Sequence, residues 1–168
     1  NLNIDGDIKN AKIETLNGLI NTKITEGKII NEVVNTVFKQ EIKDIVTFDL
    51  NVDTSLVPNQ AVSKASLNTN LLDLNIKKAV FDFNEASLNS DYLVKIASLT
   101  NLVDFTKTKL RGAMDISGNI QSKENSLIVD GKSSILGGAL NFNLKNDDLS
   151  ATLSDIGIKE LTYMLYQP

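Results

Sequence analysis

The stretch Val46-Thr47-Phe48-Asp49-Leu50-Asn51-Val52 decides the fold class. Apolar and polar residues alternate without a break, the period of a strand with one face buried and one in water. Working outward, the same alternation recurs at Leu2, Ile4 and Ile8, at Leu74 and Ile76, and at Phe81 and Phe83. It continues through Tyr92, Val94 and Ile96, through Met114, Ile116 and Ile120, through Leu140, Phe142 and Leu144, and through Leu149, Ala151 and Leu153. The apolar parity flips between Ile76 and Phe81, and a β-bulge near Lys77-Lys78 accounts for it. Turn chemistry punctuates the runs: Asp5-Gly6, Glu26-Gly27, Pro58-Asn59, Asn84-Glu85, Lys123-Glu124-Asn125, Asp130-Gly131, Gly137-Gly138 and Asn146-Asp147-Asp148. The count is roughly nine to eleven strands joined mostly by short loops, an antiparallel meander.

Helical spacing appears in three places. Val33, Val34, Val37, Phe38 and Ile42 make a stripe from about residue 31 to 44, capped by Asn31; Leu99, Leu102, Val103 and Phe105 make a shorter one behind Ser98; Leu161, Met164 and Leu165 begin a third. Each follows two strands, so 19–38, 79–105 and 139–165 read as a loose strand-turn-strand-helix pattern.

Composition excludes most chemistry. The 168 residues carry 17 basic and 21 acidic side chains, a net charge of −4, with no Cys, His or Trp and one Arg, Arg111. A Ser-His-Asp triad, a thiol nucleophile and a zinc site of the usual N/S kind are therefore ruled out. An acidic chain with one guanidinium is poorly made for nucleic acid. Asp147-Asp148 sits in a hairpin turn, Asp49 and Asp82 alternate with apolar neighbours, and Asn1-x-Asn3-x-Asp5-Gly6 lacks the closing Glu of a calcium loop. No glycine has phosphate-loop spacing. The expectation is a non-enzymatic protein with no catalytic residue, cofactor or metal. Two ends that look cut suggest a segment of a longer protein, whose free edge strands would pair edge to edge with other copies.

Two blocks carry a family resemblance. Leu16-Asn17-Gly18-Leu19 through Ile24-Thr25-Glu26-Gly27-Lys28-Ile29 runs into a helical stripe. Leu110-Arg111-Gly112-Ala113-Met114-Asp115-Ile116-Ser117-Gly118-Asn119-Ile120 leads to Leu127-Ile128-Val129-Asp130-Gly131 and Leu136-Gly137-Gly138-Ala139-Leu140. In order, with the Asp91-Tyr92-Leu93-Val94 strand, they resemble the AsmA/TamB/YhdP superfamily of Gram-negative envelope proteins. The resemblance implies a periplasmic protein anchored in the inner membrane, built on a long, strongly curved antiparallel sheet. That sheet would form an open apolar groove with short helices at its edge or mouth. It would hold phospholipid acyl chains between inner and outer membranes and serve outer-membrane assembly.

The side chains expected to line such a groove are Val46, Phe48, Leu50, Val52, Leu74, Ile76, Phe81, Phe83, Tyr92, Val94, Ile96, Met114, Ile116, Ile120, Leu140, Phe142, Leu144, Leu149 and Leu153. Helix packing on the sheet falls to Val33, Val34, Val37, Phe38, Ile42, Leu99, Leu102 and Val103. The alternative is a structural or adhesive β-module whose apolar face is wholly internal, because alternation by itself does not say what covers that face.

Overall fold

A computed structural model describes residues 2–9, 12–29, 36 and 45–166. Among the described residues ten strands form one antiparallel sheet in strict sequence order. They are β1 Leu2–Lys9, β2 Lys12–Ile29, β3 Val46–Val57, β4 Gln60–Thr69, β5 Asp73–Asp82, β6 Ser87–Ile96, β7 Met114–Lys123, β8 Ser126–Ile135, β9 Gly138–Lys145 and β10 Asp148–Ser154. β1 and β10 do not pair with each other, so the sheet is not closed. After β6 comes a 3-10 turn, Leu99–Leu102, running into one α-turn, α1 (Val103–Thr106); after β10 comes α2 (Ile158–Met164).

Tight turns gather at one end of the sheet. In the β3–β4 turn Pro58 precedes Asn59, whose φ of +62° supplies the left-handed second position of a type II turn. Between β5 and β6, Asp82 Oδ1 accepts from the backbone N–H groups of Asn84 (2.9 Å) and Glu85 (3.1 Å), and Lys123 of the next hairpin bridges to Glu85 at 2.9 Å. The Glu85 N–H, followed by the Gln60 amide and then the Asn84 N–H, holds the Asp82 carboxyl below its ordinary value. The other end carries the longer connections and α2. There Val46 packs against Ile29, Leu71 and Phe105, and Ile96 and Leu99 are buried.

Three expectations are corrected. Glu26-Gly27 makes no turn: β2 continues through it, and the register slips between Ile24 and Gly27 with Glu26 at φ +54°. The first strand-turn-strand copy at 19–38 is thus a single bulged strand over 19–29. Asp5-Gly6 lies inside β1, and Asp130-Gly131 inside β8. In all three places neighbouring strands supply backbone partners, and ladder pairing outweighs local turn preference. Val103 is 39% exposed, since a single α-turn presents one side inward and Phe105 takes that side. The stripe Val33, Val34, Val37, Phe38 and Ile42 lies outside the described residues. The bulge expected near Lys77-Lys78 is present, where the β5–β6 register slips between Asn75 and Lys78.

Candidate functional site: one apolar sheet face

Register decides which side chains share a face, because directly paired residues point the same way. One row runs Ile24, Leu50, Leu67, Leu74, Val94, Ile116 across six strands. A second runs Ala79, Ser90, Ile120, Val129, Leu144, Leu149 from β5 to β10. The β5 bulge inserts one residue, so Ile76 (opposite Ala65) and Phe81 (opposite Ala61) return to the same face despite their opposite parity. With rows carried through, every expected groove residue in a strand falls on one face. Phe83 alone sits beyond its strand, in the β5–β6 turn, its ring 5.6 Å from that of Phe81.

Ten strands at about 4.8 Å spacing make this face roughly 43 Å wide. It is half-buried along most of its length and opens toward β10, where Leu149 is 68% and Leu153 58% exposed. Only three hydrophobic side chains are buried among the described residues: Val46, Ile96 and Leu99. The accessible surface is 11531 Å², against about 8,200 Å² for a compact monomer of 18.4 kDa. Among the described residues one sheet layer, without a second, accounts for both figures.

Glycines mark where this face is thinnest. Tyr92, Gly118, Gly131, Phe142 and Ala151 form one cross-strand row. A Cβ on Gly131 would clash with the Phe142 ring and meet the Tyr92 hydroxyl at 2.7 Å; one on Gly118 would clash with the Asp130 carbonyl. The two aromatic rings thus cover a glycine pair from either side, and Tyr92 Oη donates to the Asp130 carbonyl at 2.8 Å. Burial, then the Asp130 charge, raise the Tyr92 hydroxyl above its ordinary value. Phe48 covers Gly27 in the same manner.

The opposite face is polar. Asn119 Nδ2 donates to Asn89 and Asp91 (2.8 and 2.9 Å), and the Asn21 amide donates to Asp53. A hollow of about 670 Å³ opens chiefly on this side, lined by Asn75, Lys77, Asp91, Asn119, Asp130 and Lys132, and reaches Tyr92 and Phe142 at the paired glycines. Among the described residues no group of three acidic side chains is placed to hold a metal ion.

At the far end of the sheet Arg111 stacks on Tyr166, with its guanidinium carbon 3.7 Å from the ring centre, and the Arg111 backbone N–H donates to the Met164 carbonyl at 2.9 Å. Tyr163 and Lys109 complete this cation–π cluster, which holds α2 against the strand ends. The Thr100 hydroxyl, followed by Arg111, lowers the Tyr166 hydroxyl below its ordinary value.

Sequence reasoning missed this cluster, and it missed Leu67, Leu88 and Val129, which also lie on the apolar face by register. In Leu127-Ile128-Val129 both parities are apolar, so only the pairing partners reveal the orientation. Comparison with family models, with curated proteins and with solved structures gives no match for this chain.

Proposed function

We propose that this chain is a non-enzymatic lipid-handling segment, whose apolar sheet face takes phospholipid acyl chains in the manner implied by its AsmA-like sequence blocks. The setting that goes with this reading is the periplasm, in a longer protein anchored in the inner membrane. The carrying observation is the register, which aligns nearly all the expected side chains on one face of an unclosed sheet while leaving most of them half in water. In the proposed complex the sheet curls round the chain as an open groove. A palmitoyl chain with half its methylenes covered gains roughly 6 kcal/mol without any charged pocket. The headgroup stays in water, so no reactive side chain is required.

Lipid extraction and mass spectrometry of the purified protein test this directly, together with photocrosslinkers placed at Phe48 and Val94 and, on the polar face, at Asn51 and Asp115. Phospholipid crosslinked from the first pair alone is the expected result. Lipid-free protein, or equal labelling from both faces, rejects the reading. A second reading, a structural module, is favoured by one observation: the hollow of about 670 Å³ opens chiefly on the polar side.

A further inference from the structure

We infer that β10 is a two-fold pairing edge, and that its occupant is β10 of a second copy of this chain. Among the described residues this strand is the last of the sheet, and residues 148–153 are exposed on both faces. In the two-residue β9–β10 hairpin, Lys145 pairs with Asp148 next to the loop, which makes them the hydrogen-bonded pair. Alternation then turns the N–H and C=O groups of Leu149, Ala151 and Leu153 toward the free edge. Natural edges are protected by Lys, Pro or a bulge. Here Leu149–Leu153 contains no charge and no proline, and the β9–β10 register runs unbroken.

The sequence is its own complement. Antiparallel pairing centred on Ala151 sets Leu149 opposite Leu153 on the apolar face and Ser150 opposite Thr152 on the polar face. The Ala151 pair and both Leu pairs are then all hydrogen-bonded positions, giving about six main-chain bonds. A two-fold axis normal to the sheet keeps both apolar faces on the same side, so the half-exposed rows of each copy continue into the other. It also covers Leu149 and Leu153, the most exposed apolar side chains of the strands. A strand pair this short buries about 1,000 Å² at most, so the dimer is reversible and concentration-dependent. This inference is independent of lipid binding.

Sedimentation velocity of the whole chain over a range of concentration tests it. A monomer–dimer equilibrium is expected. Ala151→Pro removes an N–H that points away from β9, so the fold is retained while the dissociation constant rises more than about tenfold. Ser150→Lys with Thr152→Lys places like charges opposite each other and does the same. Because the chain has no cysteine, Ala151→Cys gives an unambiguous disulfide dimer on oxidation, the about 5.5 Å Cα separation of such a pair lying within disulfide reach. Asn51→Cys gives none. Monomer at every concentration overturns the inference. So does a dimer indifferent to these variants, or an open series of larger species, the signature of β10 pairing with β1.

Discussion

Gly118 and Gly131 are paired directly, yet the consequences of adding a methyl group differ because the obstacles differ. At Gly118 the obstacle is the Asp130 main-chain carbonyl, which moves only if the strand moves; at Gly131 it is two aromatic side chains that can swing aside. Gly118→Ala is expected to cost about 3 kcal/mol and Gly131→Ala about 1 kcal/mol, read from urea midpoints at constant m-value. Equal losses would mean that the Tyr92 and Phe142 rings are as fixed as backbone. The same ring gives a spectroscopic test. Tyr92 ionises above the ordinary tyrosine value and Tyr166 below it. In an absorbance titration of the phenolates, Tyr166→Phe should therefore remove an early part of the curve and Tyr92→Phe a late part. Raised in the folded state, the Tyr92 hydroxyl contributes stability below the unfolded value of 10.0, and that contribution is lost as pH rises through its folded value.

Among the elements, the β5 bulge decides which side chains the second half of β5 gives to the apolar face. Inserting one Ala after Lys78, with the one-residue bulge kept, pushes the rest of β5 along by one position and turns it over, sending Ala79 and Phe81 to the polar side and Val80 to the apolar one. Loss of about 3 kcal/mol or more is expected in thermal unfolding, since Phe81 leaves its neighbours Ala61 and Leu88. A variant as stable as the parent would mean that register at this place is loosely held. The bulge was legible because it breaks an alternation that is otherwise regular. Glu26-Gly27 misled because the dipeptide serves a bulge and a turn equally well, and pairing with Phe48 decides between them. What escaped reading altogether was long-range: which of Leu127, Ile128 and Val129 faces inward, or that Arg111 would meet Tyr166. The β5–β6 turn supplies a pH test. Asp82 has a lowered carboxyl value, so it stabilises the fold above the unfolded 3.8 and ceases to as pH falls through the folded value. Asp82→Asn should flatten that part of the acid limb of a stability–pH curve, leaving neutral behaviour little changed; an unaltered limb would show the carboxylate is not the group responsible.

For the whole molecule, a single sheet layer means that folding hides less surface than mass alone would suggest. From 11531 Å² of folded surface, the chain buries about four-fifths of the area a compact protein of its size does. The urea m-value should be lower in the same proportion, because it scales with surface exposed on unfolding. On the proposed lipid-handling reading, a lipid on the apolar face would supply the missing layer, and linkage would then tie occupancy to stability. A lysophospholipid held below its micelle threshold, at a hundred times its dissociation constant, is expected to add about 2.7 kcal/mol to unfolding. The urea midpoint should climb with its concentration, while the headgroup alone, glycerophosphocholine, leaves the midpoint in place. Were the two to act alike, the stabilising contact would lie on the polar face, where Asn, Asp and Lys line the hollow, and the acyl chain would have no part in binding.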